Sequence, residues 1–189
     1  MRIAVIGAGK VGGTVGSRWE AAGYEVVYGL RQPAKKNGAM SIGDALISAD
    51  VVLLAIPGAA VAQFAAEHGK ELDGKIVIDA TNNFGGSAMH CWPEILAAAP
   101  NARLYRAFNS YGWDVYSDPL LGGEKPDLFY CGPEGAGQKT VEELISDAGL
   151  RPVRVGDMDQ ADTVDGVLRL WFNLAKSRGR RIGFKLVSD

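Results

Sequence analysis

The glycine-rich turn at residues 7–12 constrains the fold of this chain more than any other feature of the sequence. It has the pattern G-x-G-x-x-G and lies between an apolar run at residues 3–6 and a helical pattern at residues 11–22. A second strand is predicted at residues 24–28. A lone pattern of this kind is weakly informative, but between a strand and a helix it is typical of a dinucleotide-binding βαβ unit. The alternative is an ordinary glycine-rich turn.

The residues of this turn suit a pyrophosphate for separate reasons. Gly7 allows the tight turn, Gly9 has no side chain to hold the pyrophosphate away from the backbone, and Gly12 lets the helix pack close to the strand. The start of the helix also offers N–H groups and a positive dipole end to the phosphates. The sequence therefore predicts that Gly7, Gly9, Lys10, Val11 and Gly12 bind the dinucleotide.

The end of the second predicted strand indicates which dinucleotide binds. An NAD site of this type carries Asp or Glu there to bind the ribose 2′-OH, but residues 26–32 read VVYGLRQ, without an acid. Arg31 can instead offer a planar fork of donors to a 2′-phosphate, and Lys35 and Lys36 add positive charge nearby. We therefore predict NADP(H) rather than NAD(H). The alternative is that Arg31 is a solvent-exposed loop arginine.

Composition excludes several other classes. The net charge of −2 gives no electrostatic case for a nucleic-acid partner. The two cysteines, Cys91 and Cys131, form no C-x-x-C motif, which argues against a disulfide framework. The two histidines, His68 and His90, lack metal-ligand spacing, so we expect no metal site.

Membrane insertion is not expected either. The first predicted strand begins at residue 3, which leaves no room for a signal peptide before it. The most apolar stretch, residues 51–62, is interrupted by Pro57 and Gly58 and is too short to span a bilayer. A cytoplasmic location follows as the default expectation.

Strand and helix patterns alternate along nearly the whole chain. This alternation predicts an α/β fold: a single Rossmann-type NAD(P)-binding domain over residues 1–189, with a mostly parallel sheet and helices on both faces. Further strands are predicted at residues 51–56, 75–80, 103–108, 128–131 and 152–155. Further helices are predicted at residues 41–48, with Ser41 as the cap, and at 59–68, 92–99, 136–148 and about 157–177.

The long C-terminal helix predicted at about residues 157–177 has apolar side chains outside its single apolar face. Leu170 and Phe172 lie partly off its apolar face, which fits either a dimer contact or packing within one subunit. Residues 178–181 are expected to be a solvated loop before a short apolar tail.

The ends of the third and fourth predicted strands supply further candidate cofactor contacts, because ligands of open α/β sheets lie beyond the carboxyl ends of the strands. Ala55, Ile56 and Pro57 can pass close to the ribose and diphosphate, or simply end the strand. Thr81 and Asn82 can hydrogen-bond a ribose or the nicotinamide carboxamide, or form an Asx-type turn that needs no ligand.

The fifth strand end and the loop before it contain the candidates for the substrate side. Asn109 can fix the carboxamide or a polar edge of the substrate. Gly112, Trp113 and Tyr116 offer flat surfaces beside it for a planar acceptor, and the aromatic residues alternatively belong to the core or a dimer contact. His90 is a weak candidate for a proton donor.

With these residues in view, the chain resembles the NADP oxidoreductases that use the deazaflavin coenzyme F420. The resemblance spans almost the whole length, at residues 3–12, 28–31, 54–57, 74–82, 106–109, 130–132, 149–153 and 155–156. It implies a single Rossmann-type domain, NADPH binding, often a dimer, and hydride transfer between the nicotinamide and a second ring system. The reductase portion of six-transmembrane ferric reductases is similar too, and there the acceptor is a flavin.

One position departs from that family. Leu30 stands where the family typically has a serine that binds the 2′-phosphate, so of that pair only Arg31 remains. The preference for NADP over NAD is therefore expected to be weaker than is usual in the family.

Three hypotheses for function follow. The first is an enzyme that moves a hydride between NADPH and a small planar acceptor, a deazaflavin first and a flavin second; such chemistry needs no acid–base pair. The second is a reductase of a small hydroxy-acid or imine substrate, although such enzymes carry a larger helical domain after the motif. The third is a non-catalytic module that binds or senses NADPH.

Overall fold

The computed structural model describes residues 1–188. The strands are β1 (Arg2–Ile6), β2 (Glu25–Gly29), β3 (Val51–Leu54), β4 (Ile76–Asp79), β5 (Arg103–Arg106), β6 (Asp127–Cys131) and β7 (Arg151–Gly156). The helices are α1 (Lys10–Ala21), α2 (Ile42–Ser48), α3 (Val61–Leu72), α4 (Trp92–Ala98), α5 (Trp113–Ser117), α6 (Ala136–Asp147) and α7 (Ala161–Arg178). Single turns of 3-10 helix lie at Pro33–Lys35, Gly58–Ala60 and Met158–Gln160.

All the strands form one sheet in the order β2-β1-β3-β4-β5-β6-β7. Neighbouring strands are parallel except β5 and β6, which meet antiparallel at Arg106 and Cys131. The central strands β3 and β4 are buried along their full lengths, as is typical of a parallel sheet that is covered on both faces. The predicted fold class, a single Rossmann-type domain with a mostly parallel sheet, is confirmed.

Alternate side chains of β1 point into two separate cores. Ile3 and Val5 belong to the core on the face covered by α1, α6 and α7, whereas Ile6 belongs to the core under α2, α3 and α4. On the first face, the indole N–H of Trp19 on α1 donates a 2.8 Å hydrogen bond to the carbonyl of Leu144 on α6. This bond satisfies the single polar atom of a fully buried side chain and thereby ties the two helices together.

Most predicted elements are present, with shifted ends. Ser41 caps α2 as predicted, because its hydroxyl accepts a 3.1 Å bond from the backbone N–H of Asp44. Helix α3 continues to Leu72, four residues past the predicted end. Helix α7 begins at Ala161 rather than at residue 157, since Met158–Gln160 first forms a 3-10 turn. The short helix α5 was not predicted.

The long helix α7 leaves part of its apolar surface exposed. Leu170 is 50% exposed and Phe172 is 38% exposed. The Phe172 ring packs edge-on against the ring of Phe84, 5.8 Å away, and Phe84 itself is 67% exposed. Packing within this chain therefore covers these side chains only in part.

Residues 178–181 are exposed, as expected of a solvated loop, but two of their arginines are attached to α5 and the turn that follows it. Arg180 donates a 2.7 Å bond to Asp114, and its guanidinium lies 5.2 Å from the ring centre of Trp171. Arg181 donates a 2.6 Å bond to Asp118. These contacts join the segment to the protein through partners more than 60 residues away in sequence.

The apolar tail that follows is anchored by Asp127 at the start of β6. Its buried carboxylate accepts two 2.6 Å bonds from Arg151 and a 2.6 Å bond from the backbone N–H of Leu186. Its backbone N–H donates to the carbonyl of Phe184. Burial works against ionisation of Asp127, but these bonds outweigh it and lower the pKa of the carboxyl below its usual value.

We predict that Asp127→Asn loosens the tail and makes stability less dependent on pH. A carboxyl whose pKa is lowered by folding contributes stability above its unfolded pKa of about 3.9, and this contribution is lost as pH falls through the folded pKa. At pH 7 the variant should lose about 1.5–3 kcal/mol of unfolding free energy, the usual contribution of hydrogen bonds to a charged group. Urea unfolding at neutral and acidic pH measures the difference.

The matched control for this prediction is Asp118→Asn, which removes an exposed carboxylate paired with Arg181 and should change stability by less than about 1 kcal/mol. If the loss of unfolding free energy in Asp127→Asn stayed the same as the pH falls into the acid range, it would contradict the assignment of this pH dependence to the Asp127 carboxyl.

Candidate dinucleotide-binding site

A cavity of about 310 Å³ opens at the carboxyl ends of β1, β2 and β3. It lies where the chain crosses from β2, on one side of β1, to β3 on the other, which is the place where open α/β sheets bind ligands. Its walls come from the glycine-rich turn, the ends of these strands, the start of α2 and one face of α3. The lining residues are Ile6, Gly7, Gly9, Gly29, Leu30, Arg31, Ile42, Ala55, Ile56, Pro57, Ala60, Gln63, Phe64 and Glu67.

The three glycines of the turn are required for different reasons. Gly7 has φ +96°, and a Cβ there would lie 2.6 Å from the carbonyl oxygen of Ala55. A Cβ at Gly12 would collide with the carbonyl oxygen of Gly7, so this glycine is needed for the helix to pack against the turn. A Cβ at Gly9 would meet no atom within 4 Å, although the residue lines the cavity. The space at Gly9 is therefore available to a ligand.

The first turn of α1 adds hydrogen-bond donors beside the cavity. Gly9 is the N-cap and has no capping side chain, and the first N–H groups of any helix lack intrahelical acceptors. Lys10 and Val11 supply two of these N–H groups, while their side chains lie outside the cavity lining. The Lys10 ammonium lies 5.2 Å from the ring centre of Trp113 on α5. The helix start therefore presents a partial positive charge to an anionic ligand.

The basic side chain among the cavity-lining residues is Arg31, which follows Leu30 at the end of β2. The ammonium of Lys36 lies 4.1 Å from the ring centre of Tyr28 and so makes a cation–π contact with that ring. Lys35 is exposed and lies outside the lining. Of the three cations named from sequence, the structure thus places Arg31 at the cavity.

One wall of the cavity was missed from the sequence. It consists of Gln63, Phe64 and Glu67 on α3, opposite Ile42 at the start of α2. The Gln63 amide donates a 2.8 Å bond to the Glu67 carboxylate, one turn away. Polar residues four apart on a helix that follows β3 are the signal that could have located this wall. It offers two apolar surfaces and a hydrogen-bonding edge, which suits a purine base.

A second cluster of polar side chains lies at the carboxyl ends of β4 and β5, around Arg106. This arginine is fully buried between the carboxylates of Asp79, 3.1 Å away, and Asp165 of α7, 2.6 Å away. It also donates a 2.9 Å bond to the side-chain oxygen of Asn82 and a short bond to the carbonyl of Thr81. Burial raises the pKa of Asp165, although Arg106 opposes this effect.

This cluster occupies the polar groups that were predicted to contact the cofactor at Thr81, Asn82 and Asn109. The Thr81 hydroxyl and N–H both donate to Asp79, at 2.6 and 2.9 Å, which is the Asx-type turn considered as the alternative. The Asn82 amide donates to the Asn109 carbonyl, and the Asn109 amide donates to Asp165. None of the three lines the cavity. Their roles toward a cofactor stay predictions.

The signal for the buried pair was present in the sequence. Asp79 and Arg106 are charged residues in otherwise apolar strand patterns, and they are direct partners in the β4–β5 register. Asp165 could not be found this way, because nothing local in α7 indicates that it faces Arg106.

The predicted aromatic wall reduces to one residue. Tyr116 is buried in the core beside Phe108, as the alternative held, whereas Trp113 is half-buried next to Lys10. His90 follows β4, and its ring stacks on that of Trp92 with centres 5.9 Å apart. The His90 Nε2 lies 3.6 Å from a carboxylate oxygen of Asp162.

We predict that Gly9→Ala abolishes tight dinucleotide binding without damaging the fold. The added Cβ has room in the free protein but would hold a pyrophosphate away from the backbone. The affinity for NADPH, measured by fluorescence titration, should fall at least tenfold, while unfolding free energy should fall by no more than about 1 kcal/mol, the usual cost of placing alanine at an N-cap. Unchanged affinity would show that the cofactor lies elsewhere.

The control for this variant is Gly166→Ala on α7. It also adds a Cβ that meets no atom within 4 Å, and it should leave NADPH affinity unchanged.

Comparison with known proteins agrees with the geometry of this site. The sequence profile of the family described as NADP oxidoreductase, coenzyme F420-dependent, matches residues 2–83, which include the glycine-rich turn and most of the cavity lining. An F420-dependent NADP reductase of Methanothermobacter thermautotrophicus is 28% identical, over 100% of this chain and 95% of that protein. These matches confirm the resemblance noted in the sequence.

Solved structures share the fold over 83–100% of the chain. A provisionally assigned F420-dependent NADP reductase from Arthrobacter sp. FB24 superposes with a TM-score of 0.87 at 24% identity and covers 100% of both chains. A hypothetical protein from Sinorhizobium meliloti has a TM-score of 0.70 at 28% identity, covering 83% of this chain and 85% of that one. A reductive aminase from Aspergillus terreus, solved with NADPH, has a TM-score of 0.70 at 19% identity, which shows a shared fold over 60% of that chain. Within residues 1–188, no helix has the length and apolar character needed to cross a membrane.

Proposed function

Because this chain is related to the F420-dependent NADP oxidoreductases, we propose that it is an NADP(H)-dependent oxidoreductase that transfers a hydride between the nicotinamide and a planar ring, coenzyme F420 before a flavin. The observation that carries this proposal is the cavity beside the glycine-rich turn, which has open space at Gly9 and an arginine in place of an acid after β2. When bound, NADPH supplies a hydride from its nicotinamide, and the acceptor ring takes up that hydride together with a proton.

The cavity supports a defined orientation of the cofactor. Gly7, Gly9 and the first N–H groups of α1, which carry the positive end of the helix dipole, would hold the pyrophosphate. Leu30, Arg31 and the wall formed by α3 would hold the adenosine half, and Ala55 to Pro57 would border the ribose. The nicotinamide half would then lie toward Lys10 and the β4 end.

Trp113 is the side chain proposed to receive the acceptor ring. It is half-buried beside Lys10 at the start of α1, and it therefore offers both a flat apolar surface and a neighbouring positive charge. Ring-to-ring hydride transfer depends on holding two flat molecules in contact and in the right orientation. We therefore expect binding surfaces, rather than an acid–base pair, to dominate this site.

We predict that Arg31→Ala lowers affinity for NADPH but not for NADH. The guanidinium is the cavity-lining cation at the end of β2, so its loss removes a charge-assisted contact with the 2′-phosphate only. Such a contact contributes about 1.5–3 kcal/mol, which corresponds to a loss of about 10- to 150-fold in NADPH affinity. Fluorescence titration of both dinucleotides measures the change.

Arg178→Ala, at the exposed end of α7, is the matched control and should bind both dinucleotides as the unaltered protein does. Equal losses for NADPH and NADH in Arg31→Ala would mean that the arginine acts on the shared part of the cofactor. No loss at all would make it the solvent-exposed loop arginine of the alternative reading.

The activity itself is tested by mixing the protein anaerobically with NADPH and oxidised coenzyme F420. We expect the deazaflavin absorbance to bleach, much more slowly with NADH, and not to bleach at a useful rate with Gly9→Ala. Reduction of flavin but not of F420 would move the acceptor assignment to flavins. Tight NADPH binding without reduction of either ring would contradict the enzyme proposal and favour a sensing module.

A further inference from the structure

Three metal-ligating side chains from distant parts of the sequence converge beside Arg106. His90 comes from the loop after β4, and Asp162 and Asp165 lie three residues apart on one face of α7. One ligand atom from each lies within 4.8 Å of the other two. The sequence spacing gives no hint of this set, because about 70 residues separate the histidine from the two carboxylates.

Two atoms of this cluster are buried without a hydrogen-bond partner among the described residues. They are the Oδ2 of Asp165 and the Nδ1 of His90. The Asp165 side chain is fully buried and that of His90 is 10% exposed. Buried polar atoms are normally paired, so the unpaired Oδ2 of the fully buried Asp165 indicates a missing ligand. On the His90 ring it is the other nitrogen, Nε2, that faces Asp162, at 3.6 Å.

Hydrogen bonds to one of its two oxygens fix the orientation of the Asp165 carboxyl. Its Oδ1 accepts bonds of 3.0 and 2.6 Å from Arg106 and of 3.0 Å from the Asn109 amide. All three donors are on this oxygen, so the carboxyl cannot turn and Oδ2 remains available. Outer hydrogen bonds of this kind hold the ligands of metal sites in position. The His90 ring is similarly held by stacking on Trp92.

The charge balance also favours a cation. Arg106 provides one positive charge between the buried carboxylates of Asp79 and Asp165, and Asp162 adds a third negative charge at the edge. The cluster therefore contains three carboxyl groups and one guanidinium, and a divalent cation would offset this excess of acidic groups.

We propose that His90, Asp162 and Asp165 bind a divalent transition-metal ion of the Zn²⁺ class. An imidazole nitrogen favours such an ion over Mg²⁺ or Ca²⁺, which prefer oxygen alone. Three protein ligands and an open fourth position form the usual arrangement of a non-structural zinc site. Ligand atoms about 2.1 Å from a tetrahedral ion lie about 3.4 Å apart, and the 77% exposed side chain of Asp162 has the freedom to close that gap.

This site is independent of the proposed hydride transfer, because it lies outside the dinucleotide cavity and uses none of its lining residues. It is nevertheless linked to the predicted nicotinamide end. Asn109 joins Asp165 to the end of β5, and Arg106 joins it to Asn82 at the end of β4.

The test is titration of chelator-treated protein with Zn²⁺ by isothermal calorimetry, with Mg²⁺ as the comparison ion. We expect one equivalent of Zn²⁺ to bind, with at least tenfold weaker affinity in His90→Gln and in Asp162→Asn. Asp165 is left unchanged because Arg106 depends on it. The matched controls are His68→Gln, which removes the other histidine, and Asp159→Asn, which removes an exposed carboxylate one turn before Asp162. Both controls should bind Zn²⁺ as the unaltered protein does.

Absence of a stoichiometric Zn²⁺ site in folded protein would overturn the proposal. So would equal affinity in His90→Gln, Asp162→Asn and the unaltered protein, since the ion would then bind elsewhere. Thermal unfolding without metal shows whether each variant is folded, and an NADPH titration of the same samples reports on the dinucleotide site alone. Loss of NADPH binding with intact Zn²⁺ binding would count against the proposed function and not against the metal site.

Discussion

The buried ion network around Arg106 is the interaction on which the carboxyl edge of the sheet depends. A fully buried guanidinium is tolerated only when its charge and its donors are matched, and here Asp79, Asp165 and Asn82 supply the acceptors. Because these partners come from β4, the following loop and α7, the network positions the long C-terminal helix against the ends of two central strands. Removing Arg106 would leave both carboxylates buried without their counter-charge.

Because of this network, the two parts of the carboxyl edge of the sheet differ in how their polar groups are used. Around β4 and β5, polar side chains bind one another, and the Thr81 turn and the Asn109 amide serve the protein itself. Around β1, β2 and β3, the backbone of the glycine-rich turn leaves open space beside Gly9, and few polar side chains line the cavity. We therefore expect recognition of a dinucleotide there to depend on backbone N–H groups and on Arg31, and residues 2–83 match the profile of an NADP oxidoreductase family.

Sequence patterns were most informative where structure is local. The glycine-rich turn, the cap at Ser41 and the absence of an acid after β2 all depend on a few consecutive residues, and the structure has them as predicted. Contacts between distant residues could not be predicted in this way, and the ion pairs that attach residues 178–181 to α5 and the turn after it are an example. The late start of helix α7 has a local cause, because a 3-10 turn precedes it.

The sequence by itself determined the α/β class, the dinucleotide motif and the preference for a 2′-phosphate, because strand and helix periodicity and turn chemistry act over short stretches of chain. Only the tertiary structure decided which polar side chains face a ligand and which are used internally. Arg106 and Asp165 are 59 residues apart, and His90 meets α7 across about 70 residues. Whether such groups bind a cofactor, a metal ion or one another depends on burial and on the partners that folding brings to them.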